Sequence, residues 1–233
     1  MLEKAKLLGR RAAGTFILFF RGSVNRNGVE LDLSEVPPRW RKIFLDEEYE
    51  AAEEKLLDAY LPRETPVIEL GGGAGFIACK TCQLVDAPQA VVEPNPEMMP
   101  VLERNRDLNG CDFVIEEKAY HPEEKEVELS IPDSFLGTSL EREGRTIETE
   151  ATNLEDLVEE HGFEKFSLVI DIEGTEYELL EEEADILEER CEFLVVEFHP
   201  FREKDMERYR QKIRDAGFKL LESETTVEAY EKG

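Results

Sequence analysis

The stretch VIELGGGAGFIA, Val67 to Ala78, constrains the fold more than any other part of the chain. A short apolar run that reads as a buried strand meets glycines at 71, 72, 73 and 75, and an apolar helical pattern follows at once. Strand, tight glycine turn and helix in that order open a parallel βαβ unit. The alternation then continues. QAVVE reads as a strand, PEMMPVLERNRDLNG as a helix closed by Gly110, and DFVIEEKAY as one strand. VELSI and RTIETEA read as paired strands flanking PDSFLGTSLEREG, a polar, glycine-bearing segment from Pro132 to Gly144 expected to form a lid or a plain surface hairpin. TNLEDLVEEHG is expected to be a helix opened by a Thr152–Glu155 capping box. FSLVIDIEG is the most apolar strand, TEYELLEEEADILEER a single helix with a Glu-rich outer face, and EFLVVEFHP a further strand. MERYRQKIRDAG is a helix, and FKLLESE with TVEAYEKG closes the chain as a hairpin. Strands alternating with helices imply an α/β, doubly wound, mostly parallel sheet, with an antiparallel strand from the last hairpin. Upstream, an Asn27-Gly28 turn predicts a small hairpin over 24–34, and helical spacing runs from Glu47 to Leu61. The expected division is an extension over 1–46 and one domain over 47–233.

In such a sheet the ligand lies beyond the carboxyl ends of the strands, where the strand order reverses. The first glycines do not make a dinucleotide fingerprint, because Phe76 stands where G-x-G-x-x-G needs its third glycine. Gly71, Gly73 and Gly75 instead recur two apart, with Glu69 two residues ahead, and Gly72 is explained by neither pattern. This arrangement suits S-adenosyl-L-methionine. Its carboxylate can use amides near a helix start. Its ammonium and sulfonium favour a neighbouring acid such as Glu69, and glycines admit a close backbone approach. Glu93 ends the next strand, 18 residues past Gly75, where a carboxylate can accept from both ribose hydroxyls. Asn95 follows it in the same loop.

Charge limits the partners. The 233 residues carry 55 Asp and Glu against 28 Lys and Arg, a formal charge of -27. Self-repulsion of that size is relieved by salt, which points to a protein adapted to high ionic strength. Nucleic acid, bound largely through Lys and Arg, is not an expected partner. Cys79 and Cys82 form a C-x-x-C with no second pair to complete a zinc set, so they read as small buried helix residues of a reduced, cytoplasmic protein. The basic start and the uncharged run Ala12–Phe20 are too short to span a bilayer. They read as an amphipathic helix packed on the domain, with weak membrane-surface contact of residues 1–22 as the second reading.

With these residues in place, the chain resembles the class I S-adenosylmethionine-dependent methyltransferases, and within them the FkbM family, over most of residues 47–200. The motifs that carry the resemblance are IELGGGAGF, VVEPNPEMMPVLERNRDLNG, EKAY, and VIDIEGTEYELL followed by VVEFHP. It implies a Rossmann-like seven-stranded sheet and methyl transfer, usually to a hydroxyl of a sugar or other small metabolite. It also implies that Gly71, Gly73 and Gly75 line the methionine part, that Glu93 meets the ribose, and that Glu117 to Ala119 lie near adenine. Lys118 and Val169 depart from the family pattern.

The catalytic candidates are few. Asp171 and Glu173 end the central strand and His199 ends the next. His199 reads as the base or the acceptor-orienting group, or else as a cap without chemistry, since imidazole titrates near neutrality. Asp171 positions the donor end of the pocket or the acceptor, or caps the next helix. Glu173 and Glu176 are placed to hold acceptor hydroxyls, Glu176 alternatively favouring a helix N-terminus. Asp171 and Glu173 lack a third ligand for magnesium, so no metal is expected. The rival from another class is a non-catalytic interaction protein of this fold in a glycan or metabolite pathway.

Overall fold

The structure, a computed structural model, describes residues 22–44, 46, 48–131, 145–172, 174–199 and 206–233. The N-terminal helix reading, the 132–144 segment and Glu173 lie outside the described residues.

The chain begins with a hairpin of β1 (Ser23–Arg26) and β2 (Val29–Asp32). Asn27 and Gly28 both take positive φ, 48° and 94°, the turn geometry that matches strand twist. Helices α1 (Pro38–Phe44) and α2 (Ala51–Tyr60) follow. The βα alternation then runs β3 (Val67–Leu70), α3 (Phe76–Leu84), β4 (Gln89–Val92), α4 (Met99–Leu108) and β5 (Val114–Glu116). After β6 (Ala119–Tyr120), β7 (Glu126–Ile131) and β8 (Arg145–Thr152) come α5 (Leu154–His161), β9 (Phe166–Ile170), α6 (Glu176–Glu182), α7 (Ala184–Arg190) and β10 (Cys191–Glu197). The chain closes with α8 (Met206–Asp215), β11 (Phe218–Glu224) and β12 (Val227–Lys232).

The main sheet has seven strands in the order β11-β12-β10-β9-β3-β4-β5. β3, β4, β5, β9 and β10 are parallel, and β12 is antiparallel to both neighbours. This is the doubly wound order anticipated, with the closing hairpin supplying the antiparallel strand. The strand order reverses between β3 and β9, so the crevice opens above Leu70 and Ile170.

The inner strands are apolar throughout because both faces are covered. Alternate residues feed opposite cores: Val67, Val91, Val169 and Val195 pack on the side of α3 and α4, while Ile68, Leu70, Leu168 and Val196 pack on the side of α5 and α6. The hairpin shares the first of these cores through Val29 and Leu31. Asn105 fixes it there. This fully buried amide accepts from the Asp32 N–H at 2.6 Å and donates to the Ala74 carbonyl at 2.7 Å, tying β2 to the glycine bend.

Several local expectations are corrected. DFVIEEKAY is two strands, not one: the Lys118 N–H turns back to the Glu116 carbonyl at 2.8 Å. β6 then leaves for a separate sheet of order β6-β8-β7. The helix after the central strand breaks at Glu183, whose buried carboxyl accepts from the Tyr120 hydroxyl at 2.5 Å and from the Leu154 N–H at 2.9 Å. The cap of α5 is Asn153, accepting from the Asp156 N–H at 2.8 Å, while Thr152 belongs to β8. Cys79 is a small buried residue as expected, but Cys82 forms a disulfide with Cys111. The partner lies 29 residues on, across the whole of β4 and α4, so C-x-x-C spacing carries no sign of it. No helix among the described residues is long and apolar enough to cross a membrane.

Candidate functional site

A cavity of about 390 Å³ sits at the switch point, within the range of small-molecule sites. Its floor is the glycine bend, and each glycine there has a separate cause. A Cβ on Gly71 (φ 97°) would overlap the Asp171 carbonyl oxygen, because the ends of β3 and β9 touch at that residue. A Cβ on Gly72 would lie 2.6 Å from Val91 Cγ1, which accounts for the glycine that the motif left unexplained. Gly75 (φ 84°) packs 2.7 Å from Leu102 Cδ1 by the same measure, against α4 and away from the cavity. Gly73 (φ 49°) differs: nothing lies within 4 Å of its Cβ position, and it faces the cavity. The bend therefore leaves one stretch of backbone bare for a ligand.

Glu93 faces this bare stretch. One carboxyl oxygen accepts from the Gly73 N–H at 2.7 Å and the other from the Asn95 N–H at 2.8 Å. Burial pushes its pKa up to about 7, and the two amides pull it partly back. Asn95 lines the same wall while its side chain accepts from the Glu97 N–H at 2.9 Å. Ala119 and Tyr120 of β6 close the next side. Besides Gly75, which was expected to line the methionine part, two further sequence candidates are not brought to the cavity. Glu117 is exposed outside it, because β5 ends before it and β6 turns away. Glu69 is buried beneath the bend, 3.2 Å from Gln89 Nε2, and burial, with Glu50 second, holds its carboxyl well above the usual range. Glu69 therefore sits under the floor, outside the cavity, and does not supply the direct charge contact expected for it.

Asp171 and His199 come together on the opposite side, with Asp171 Oδ1 3.6 Å from His199 Nε2. Behind His199 lies Glu176, fully buried, its Oε1 2.7 Å from His199 Nδ1. The same oxygen accepts from the Gly174 N–H at 3.1 Å. An oxygen already accepting from an amide makes Nδ1 the donor and turns Nε2 toward the cavity. Glu176 therefore orients the imidazole and does not reach an acceptor.

Sequence reading missed the roof, and had Glu197 only as one of the polar residues at the strand ends. Phe44, Tyr49, Glu50 and Glu53 from the α1–α2 region line the cavity, as does Glu197 at the end of β10. The only sequence signal was positional: Glu197 ends a parallel strand. Among the described residues no Lys or Arg lines the cavity. Burial, followed by the hydrogen bond that protonated Glu53 donates to the Glu197 carboxyl, raises Glu53 above its roof neighbour Glu50, which burial raises to about 7. Asp171, Glu197 and His199 each offer a ligand atom within 4.8 Å of the others.

These carboxyls give the ligand-free protein a definite pH response. Their folded pKa values lie above the ordinary value of 4.5, so the folded chain holds protons that the unfolded chain releases. The contribution to stability is complete below about pH 4.5 and is lost as pH rises through about 7 for Glu50 and Glu93, and higher for Glu53. Lowering the pH from 8.5 to 6 at constant high salt should raise Tm by roughly 5–10 °C, from a few kcal/mol in a chain of this size. Scanning calorimetry of wild type and Glu53→Gln checks this. A variant with an unchanged slope would refute the assignment.

The Methyltransferase FkbM domain pattern matches residues 72–220. No curated protein matches the chain. Among solved structures, the magnesium protoporphyrin IX methyltransferase of Synechocystis PCC 6803 with bound SAM gives a TM-score of 0.49 at 11% identity, covering 84% of this chain and 90% of that one. A TehB-like SAM-dependent methyltransferase from Corynebacterium glutamicum gives 0.48 at 12% identity, covering 84% and 95%. The ribosomal protein L11 methylase of Lactobacillus delbrueckii gives 0.46 at 13% identity, covering 81% and 80%. The fold rests on the strand order and register above, and likenesses at this level carry nothing beyond it.

Proposed function

The chain belongs to the FkbM methyltransferase domain family, and from that premise we propose that it transfers a methyl group from S-adenosyl-L-methionine to a hydroxyl of a sugar or other small metabolite. The observation that carries the reading is a single cavity with two chemically distinct ends. One end has the bare Gly73 backbone and Glu93, the other Asp171 and an imidazole oriented by Glu176.

The residues fit the cofactor. Glu93 retains lone pairs beyond the two amide bonds, enough to accept from ribose hydroxyls, and Ala119 leaves room for a flat base. Gly73 admits the methionine portion. The acidic lining suits an ammonium and a sulfonium. When bound, the cofactor supplies an electrophilic methyl group on a positively charged sulfur. The chain's own contribution is alignment and proton handling. Holding both reactants in line supplies about 7–11 kcal/mol of the barrier reduction. His199 Nε2 faces the acceptor side as base or as the group that orients the hydroxyl, with Asp171 beside it. The polar wall favours an acceptor with several hydroxyls, each a donor to a carboxylate.

Titration calorimetry with S-adenosylmethionine in molar salt is the first test; absence of heat favours the non-catalytic interaction protein. A screen of hydroxylated metabolites and glycans for S-adenosylhomocysteine production then identifies the acceptor. Glu93→Gln should weaken cofactor binding roughly tenfold to a hundredfold, because a charge-assisted hydrogen bond contributes about 1.5–3 kcal/mol. Wild-type affinity should also fall below about pH 7, where burial protonates Glu93. An affinity unchanged by the variant and flat in pH removes Glu93 from the cofactor site.

A further inference from the structure

We propose that Asp171, Glu197 and His199 form a binding site for a first-row divalent cation on the acceptor side of the cavity. The ligand set is one imidazole nitrogen and two carboxylate oxygens, drawn from the ends of the neighbouring strands β9 and β10 and converging within 4.8 Å. Two ligands at about 2.1 Å from one ion stand at most about 4.2 Å apart. The Asp171–His199 pair at 3.6 Å already meets that limit. The side chains of Asp171 and Glu197 are partly exposed at the cavity, which leaves freedom for the remaining adjustment.

A second observation is independent of the cluster itself. Glu176 is buried completely, is held by the Gly174 N–H at 3.1 Å, and holds His199 Nδ1 at 2.7 Å. A carboxylate fixing one imidazole nitrogen so that the other points at an ion is the usual outer support of a metal-bound histidine. A hydroxyl-directed base alone would not need Glu197 at the same point. A third observation comes from the roof, where Glu50 lines the same cavity with Oε2 buried and without a hydrogen-bond partner. The mixed nitrogen and oxygen set suits manganese or zinc better than calcium. Ion binding does not depend on methyl transfer. Its consequence does rest on that reading: an acceptor hydroxyl held by the ion would be positioned toward the donor end of the cavity, with His199 Nε2 then orienting the hydroxyl as a ligand and not taking its proton.

The test uses the full chain without cofactor or acceptor, and manganese(II) followed by electron paramagnetic resonance. Wild type should show one site distinct from the diffuse binding expected of so acidic a surface. Glu197→Gln and His199→Gln should each weaken that site at least tenfold, and Glu176→Gln by about 10–100-fold. Glu188→Gln, an exposed carboxyl on α7, should leave it unchanged. Circular dichroism confirms that each variant is folded, and Glu197→Gln, at a partly exposed position, serves if His199→Gln does not fold. Equal manganese binding in wild type and Glu197→Gln, or only diffuse binding in wild type, overturns the site. Calorimetry with S-adenosylmethionine is independent of this result. Ion binding without cofactor binding fails the methyl-transfer reading alone, and the reverse fails the ion alone.

Discussion

Gly71→Ala is expected to unfold the protein or leave it at the margin of stability, whereas Gly73→Ala is expected to fold and to lose its ligand. Both positions have positive φ, which costs an alanine about 1–2 kcal/mol. Only Gly71 adds a collision, because its Cβ would overlap the Asp171 carbonyl oxygen and force β3 and β9 apart at their carboxyl ends. Neither partner is the tip of a flexible side chain, so the backbone itself must move, and a loss above about 4 kcal/mol is expected. At Gly73 the new methyl meets nothing in the protein and enters the cavity. Thermal unfolding and calorimetry separate the two. If Gly71→Ala melts within a few degrees of wild type, the contact between β3 and β9 is not as described. If Gly73→Ala binds S-adenosylmethionine normally, the bare backbone is not the ligand's seat.

His199→Gln should reduce methyl transfer about 10²–10⁴-fold, the usual contribution of a positioned acid–base group, while cofactor affinity changes less than about threefold. Glutamine can still donate toward Glu176, so the buried carboxylate keeps a partner and the fold should survive. Rates with the acceptor found by the product screen, together with the cofactor Kd, provide the check. A parallel loss in rate and cofactor affinity would move His199 to the donor end of the cavity. An unaffected rate would leave it a structural residue.

The layers and strand order were legible because burial on both faces makes β3, β4, β9 and β10 read as apolar runs, and helix patterns separate them. Glu93, Asp171 and His199 were legible for a related reason: each follows the end of a parallel strand by one or two residues, and such strand ends converge at one crevice. Glu69 shows where that logic stops. It lies inside β3, one residue before the strand end, and the pleat turns it under the floor. Glu117 fails because one apparent strand is two. Glu50, Glu53 and Tyr49 were not legible at all. They reach the cavity only because α1 and α2 fold back over the sheet, with the Asn105 bridge holding the hairpin ahead of them. No local pattern encodes that contact. Glu183 similarly looks like one more acid on a solvated helix, and is buried because Tyr120 and Leu154 converge on it.

The Cys82–Cys111 bond encloses β4, Glu93 and α4 in a covalent ring of about thirty residues, for which chain-entropy reasoning gives roughly 3–4 kcal/mol of stabilisation. A protease that nicked the backbone anywhere inside that ring would leave the two pieces tethered, with the carboxylate wall still attached to the sheet. The thiol–disulfide state of the surroundings thus decides whether such a cut is silent or fatal.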